Sequence, residues 1–221
     1  MKFYARLQNE TQEERKHLLS SPIIGRCMSG DIVLGDYVDF LSQAYHHVKH
    51  TVPLLMATGA QLSAKKEWLR EAVAHYIEEE LGHQEWILND IAACGFDKEA
   101  VRNSRPLAAT EVMVAYAYDT IHRVNPLGFF GMVLVLEGTS VTTADKAASA
   151  IGKTLDLPEE ALSYLRSHGA LDQGHIRFFE SLMNRISDEN DQEQIIHSAK
   201  MFYRLYGDIF RTLKQEVALA A

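Results

Sequence analysis

A glutamate inside the most apolar segment of the chain is the residue most informative about chemistry. Glu137 lies in the stretch LGFFGMVLVLEGTSV. On a helix its nearest neighbours are mostly apolar: Phe130, Val133, Leu134, Ser140 and Val141. Burying an ionised carboxylate is costly unless a cation compensates its charge. A metal ion, an arginine partner or protonation would each satisfy this position, and Glu137 alone does not decide between them.

A second group of potential ligands occurs in SHGALDQGHIRFF. His168, Asp172 and His175 stand at i, i+4 and i+7, which places them within roughly 60° on one helix face. Imidazole and carboxylate are the ligands expected of iron, manganese or zinc. A solvated polar face or a simple His–Asp hydrogen bond would give the same pattern.

A third group occurs in EEELGHQEW, where Glu80 and His83 stand at i and i+3. Glu-x-x-His on a bundle helix is the ligand unit of di-iron and di-manganese carboxylate sites. The stripe that carries both residues is otherwise apolar or aromatic: Tyr76, Ile87 and Ile91. Glu79 is an alternative ligand, since it lies one turn before His83. Glu78 and Glu85 fall on the side expected to face solvent.

Three histidines in AYHHVKHTVPLL form the last group: His46, His47 and His50. His47 shares a helix face with mostly apolar residues, and we interpret it as a catalytic acid/base residue, with a metal ligand or a buried core histidine as alternatives. Tyr76 is predicted to line the same site or donate electrons, although core packing would also explain it.

Together these groups provide six ligands from three helices: Glu80, His83, Glu137, His168, Asp172 and His175. Two iron ions need about this many protein ligands, whereas a catalytic zinc needs only three. The sequence therefore predicts a non-haem iron site, with two ions favoured over one.

Hydrophobic periodicity predicts an all-α, single-domain bundle over residues 1–221, with about seven helices and little strand alternation. The predicted helices are Tyr4–Leu19, Leu34–Leu62, Ser63–Ala93, Thr110–Val124, an apolar helix from Leu127, Leu157–Arg185 and Asp188–Leu219, with a short one at Ile23–Met28. Pro53 is expected to kink the second.

Composition restricts the partners. A net charge of -8 and the absence of a basic run argue against nucleic acid. Two cysteines, Cys27 and Cys94, are too few for a disulfide framework and favour the cytoplasm. The charged N-terminus lacks a signal-peptide core, and the apolar run Leu127–Leu136 is too short to span a bilayer, so no membrane is expected.

With these motifs the chain resembles the haem-oxygenase-like helical superfamily, which includes the TenA thiaminases, the pyrroloquinoline quinone synthase and the haem-oxygenase-like di-iron oxidases. The likeness extends from the N-terminal helix to about Arg185. Its most specific part is the order His83, Glu137, His168-x3-Asp172-x2-His175. The same order occurs in the chlamydial death-domain-associating protein, where the matching positions bind iron.

The resemblance has departures. The chlamydial protein has a glutamate where this chain has Tyr76, and the Glu80-x-x-His83 spacing is more similar to the alkene-forming fatty acid oxidase. An earlier helix provides a glutamate ligand in several relatives, and His46 or His47 falls nearest to it here. Neither cysteine matches the nucleophile of the thiaminases.

The resemblance implies a non-haem di-iron oxidase or oxygenase that uses dioxygen on a small organic substrate, and a homodimer is expected. Fatty acids, amino acids and amines are all substrates within the superfamily. Two alternatives stay open. One is a cofactor-free oxidase like the quinone synthase, with histidines as acid/base groups, and the other is a non-enzymatic helical binding or regulatory protein.

Overall fold

The fold of the chain was analysed in a computed structural model that describes residues 1–213, without the side chains of residues 168–173. All regular elements in that range are helical, which confirms the predicted fold class. The twelve α-helices are α1 Phe3–Glu10, α2 Gln12–Leu19, α3 Pro22–Ser29, α4 Leu34–Val48, α5 Thr51–Gln61, α6 Glu67–Glu80, α7 His83–Ala93, α8 Lys98–Arg102, α9 Ala108–Asp119, α10 Phe129–Leu155, α11 Ser163–Met183 and α12 Glu189–Thr212. The predicted end of the last helix at Leu219 lies outside the described residues.

The prediction of about seven helices was too low because three predicted helices are each divided in two and because the short helix α8 was not predicted. The break expected at Pro53 falls earlier, at residues 49–50, so that Pro53 lies in the first turn of α5. A proline ring clashes with the carbonyl four residues before it, here that of Lys49. The predicted Ser63–Ala93 helix breaks at Leu81 and Gly82, where Gly82 has a φ of 92°. Glycine adopts this left-handed conformation without strain.

Helix α10 connects the two hydrophobic clusters of the core. Its first part, Phe129–Val135, belongs to one cluster, and Ala144, Ala148 and Ile151 belong to the other. Glu137 lies between these segments and is 8% exposed, which confirms that it is buried. The helix therefore carries one carboxylate to the junction of the two clusters.

The apolar segment is longer than the sequence suggested. By length and composition alone, Pro126–Leu155 is long enough to cross a membrane, whereas the shorter run Leu127–Leu136 had been judged too short. In its most apolar window 61% of the residues are buried inside the fold. Burial of this kind is typical of the central helix of a soluble helical domain, and α10 takes that position here.

Candidate metal centre

Glu137 and His175 meet in the interior, and a third residue joins them from α6. The Nδ1 atom of His175 lies 3.5 Å from Oε1 of Glu137, and its Nε2 atom lies 3.0 Å from Oε2 of Glu79. Both His175 and Glu137 are buried, whereas the side chain of Glu79 is 36% exposed. Three helices, α6, α10 and α11, thus bring two carboxylates to the two nitrogens of one imidazole.

Glu80 and His83 form a second pair on either side of the helix break. Oε2 of Glu80 lies 3.1 Å from Nδ1 of His83, and the two side chains are 12% and 3% exposed. The ring of Trp86 stacks on His83 with centroids 4.0 Å apart. The i, i+3 spacing of Glu80 and His83 predicts one turn of a continuous helix. In the structure, the left-handed Gly82 breaks the helix between α6 and α7, and the Glu80–His83 contact spans this break.

The predicted ligands His168 and Asp172 lie on α11, but their side chains are outside the described residues. Among the side chains that the structure does describe, no three His, Cys, Asp or Glu residues form a ready-made metal cage. The candidate ligands meet as the pair Glu80–His83 and as the chain Glu79–His175–Glu137.

The chemistry of these donors fits non-haem iron. They are carboxylates and imidazoles, the ligands of hard and borderline divalent ions, and four of the five have less than a fifth of their side chain exposed. Neither free cysteine, Cys27 or Cys94, belongs to the group. Carboxylates paired with buried histidines are also the pattern that orients metal-bound imidazoles in proteins.

A cavity of about 170 Å³ opens beside these residues. Glu80 and Glu137 lie in its wall together with the predicted catalytic residues His47 and Tyr76. Both predicted catalytic residues are 2% exposed. The ring centroid of Tyr76 lies 5.8 Å from that of His175, and the His47 ring makes an edge contact with Tyr206 at 5.7 Å. The structure thus brings four of the predicted residues, His47, Tyr76, Glu80 and Glu137, to the wall of one cavity, and the roles of all predicted residues stay predictions.

Sequence reasoning missed part of this site. Glu79 was only an alternative to Glu80, and the structure places the two carboxylates on different histidines. Tyr206 and Phe210, which complete an aromatic wall with Phe40, were not singled out. The helical period of α12 would have placed them on its buried face, but periodicity does not say which helix that face meets.

The other two histidines of the AYHHVKH segment do not line the cavity in the described part of the chain. His46 is 1% exposed, accepts from Nζ of Lys49 at Nδ1 (3.2 Å) and donates from Nε2 to Oγ of Ser104 (2.9 Å). Burial, followed by the charges of Lys49 and His50, lowers the pKa of His46 to about 4. His46 therefore stabilises the loop after α8, and it does so as the neutral imidazole.

The low pKa of His46 predicts a loss of stability in mild acid. Between the usual pKa near 6.5 and about 4, the unfolded chain binds a proton that the folded chain does not, so the melting temperature falls as the pH is lowered through this window. His46→Gln keeps a neutral hydrogen-bonding side chain and should flatten the curve of melting temperature against pH. His17→Gln, at an exposed position, is the control and should leave the curve unchanged. An unchanged slope in His46→Gln would contradict the assignment.

Solved structures place this fold among known proteins. A domain of unknown function with a haem-oxygenase-like fold from Shewanella denitrificans superposes with a TM-score of 0.85 at 25% identity, covering 96% of this chain and 92% of that one. A TenA homologue from Pseudomonas syringae matches with a TM-score of 0.79 at 12% identity over 96% and 91%. Haem oxygenase from Leptospira interrogans matches with 0.76 at 19% identity over 96% and 100%.

Sequence comparison identifies the family. A search of curated protein sequences gives no significant match. The profile of a haem-oxygenase-like family described as iron-containing redox enzymes matches residues 38–207, which is more than half of the chain and includes every candidate ligand. This chain therefore belongs to the haem-oxygenase-like family of iron-containing redox enzymes.

Proposed function

We propose that this protein is a non-haem di-iron oxidase or oxygenase that uses dioxygen to oxidise a small organic substrate. The observation that carries the proposal is the contact between two buried side chains of different helices, Glu137 and His175, in a member of an iron-containing family. Oxidoreductase chemistry follows from the family, and the cavity beside this contact provides room for a substrate.

The proposed ligands divide between the two groups of contacts. Glu137 and His175 would hold one iron ion at the junction of the two core clusters. Glu80 and His83 would hold the other beside the break between α6 and α7. His168 and Asp172 complete the proposed set from α11. An imidazole binds a metal through one nitrogen, so the other nitrogen of His175 keeps a carboxylate partner. We propose that Glu79, the more exposed of its two partners, has this orienting role.

Iron bound at these ligands supplies the one-electron chemistry that dioxygen needs to react with an organic molecule. The chain contributes the surroundings. Apolar and aromatic residues exclude water from the cavity, which strengthens electrostatic interactions inside it. His47 lines the cavity and is placed to exchange a proton with the substrate. Tyr76 packs between the cavity and His175 and holds that imidazole in place.

Anaerobic titration with Fe(II), combined with elemental analysis, tests the proposal. The protein should bind about two equivalents of iron per chain, as expected for a bundle with two sets of carboxylate and histidine ligands. Consumption of dioxygen should then require the bound iron. A fully active protein that contains zinc or no metal would overturn the proposal and favour the cofactor-free oxidase. The expected homodimer and cytoplasmic location stay predictions.

A further inference from the structure

The cavity extends along α4, and a third carboxylate lies in its wall there, in addition to Glu80 and Glu137. Asp36 and His47 both line the cavity and are eleven positions apart on α4. At 1.5 Å per residue this separation is roughly 16 Å. The cavity is therefore long relative to its volume, and Asp36 marks the end remote from the catalytic residues.

One oxygen of Asp36 has no partner among the described residues. Its Oδ2 atom accepts from Nη2 of Arg26 (2.8 Å) and from the backbone N–H of Val33 (3.1 Å), so this oxygen caps α4 and is satisfied. The Oδ1 atom is buried and accepts no hydrogen bond from any described group. The side chain is only 1% exposed. Leaving a charged acceptor buried and unpaired is costly, which favours a donor from a molecule in the cavity.

The other lining residues of the cavity restrict the polarity and the charge of the molecule that can bind there. Most of the other described lining residues are apolar or aromatic, among them Ile32, Tyr37, Phe40 and Ala144, and hydroxyl groups come from Thr51, Thr139, Ser140 and Thr143. No lysine or arginine is among the described lining residues, whereas three carboxylates are: Asp36, Glu80 and Glu137. This lining disfavours a carboxylate ligand at the Asp36 end, where no cationic side chain is among the described lining residues to compensate the negative charge.

We infer that Asp36 Oδ1 is the recognition point for the substrate, which is an elongated apolar molecule with a terminal hydrogen-bond donor, an amine or a hydroxyl. The donor end binds Asp36, and the apolar body extends along α4 towards the metal centre. The identity of this molecule as the substrate rests on the proposed function, but its binding does not. Arg26 pairs with the carboxylate and fixes its orientation from outside the cavity.

Isothermal titration calorimetry with four decyl compounds tests the inference. The probes are decylamine, decanol, decyl methyl ether and decanoic acid, each titrated anaerobically into iron-treated protein and into chelator-treated protein. The amine or the alcohol should bind at least tenfold more tightly than the ether, which has no donor, and than the acid. Equal or tighter binding of decanoic acid, or no binding by any probe, would overturn the inference.

Two variants connect the selectivity to Asp36. In Asp36→Asn the amide oxygen stays with Arg26 and Val33, so its NH₂ group faces the cavity in place of an acceptor. Decylamine affinity should fall about tenfold or more, with a smaller loss for decanol, whose hydroxyl also accepts hydrogen bonds. Arg26→Gln removes the cation that compensates Asp36, and it should therefore raise the affinity for decylamine. If Asp36→Asn does not fold, Arg26→Gln still decides the question, since unchanged affinity for decylamine in Arg26→Gln would contradict the inference.

Asp90→Asn is the matched control. Asp90 is a buried carboxylate that accepts from Oγ of Ser163 and from the backbone N–H of Tyr164, and it does not line the cavity. Its replacement should lower the melting temperature without changing the affinity of the probes. An equal loss of affinity in both variants would show a general structural effect and overturn the role of Asp36. Failure to bind iron, with probe selectivity intact, would contradict only the proposed function.

Discussion

Replacing Glu137, His83 or Asp172 with alanine is expected to abolish activity and to lower bound iron from about two ions towards one or none. Each residue comes from a different helix, so the remaining ligands cannot move to replace it. Glu137 should show the largest loss because its replacement would remove a carboxylate, and with it the negative charge that balances a cation, at the junction of the two core clusters. Iron per chain, measured by elemental analysis after Fe(II) reconstitution, is the readout.

Matched variants on the same segment control for loss of charge. Glu78 is exposed, and Glu85 forms a two-point ion pair with Arg102 near the surface. Glu78→Ala and Glu85→Ala should keep full iron content and activity. His47→Ala separates its alternatives, since a ligand would lower the iron content, whereas an acid/base residue would lower turnover at unchanged iron. Unchanged iron in the Glu137, His83 and Asp172 variants would overturn the whole site.

Gly131→Ala is expected to destabilise the fold strongly. A Cβ atom at this position would lie 2.5 Å from the backbone nitrogen of Ala199 and 2.9 Å from the carbonyl carbon of Ser198. Both atoms belong to the backbone of α12, so no side chain can rotate away and the helices must separate. Overpacking of this kind typically costs about 1–3 kcal/mol, occasionally more. Chemical denaturation should show the loss as a lower midpoint at an unchanged slope.

Gly138→Ala is the control for that prediction on the same helix. Nothing lies within 4 Å of the Cβ position there, and alanine stabilises a helix interior by roughly 0.5–1 kcal/mol relative to glycine. The variant should therefore be as stable as the wild type or more so, and it should keep its iron. If the two alanine variants were equally stable, the close contact between α10 and α12 would not be the reason for a glycine at position 131.

The parts of the site that follow from helical period were predictable. Apolar neighbours at i±3 and i±4 indicated that Glu137 is buried, and it is. The same logic placed Glu80 and His83 inward, and their side chains are largely buried. Periodicity works for Glu137 because it lies within a regular helix whose buried face is defined by its own sequence, whereas Glu80 and His83 lie at the two helix ends beside the break at Gly82.

What the sequence did not predict depends on contacts between distant segments. Glu79 contacts His175 across α6 and α11, and the helical period of α6 alone does not indicate that contact. Glu80-x-x-His83 looked like one helical turn, since glycine is tolerated within helices. Asp36 was not singled out from the sequence, because its second oxygen gains meaning only once the cavity wall is known.

The position of Glu137 on α10 has a consequence for how specificity can evolve. Ala147 and Ile151 line the cavity ten and fourteen residues further along, about 15 and 21 Å from the carboxylate on the helix axis. A bulkier side chain at position 147 shortens the space for the bound organic molecule. The contacts of Glu137, the proposed metal ligand, stay as they are. Single replacements in these distal turns of α10 can thus change which substrate fits during evolution, while the residues proposed to carry out the oxidation stay the same.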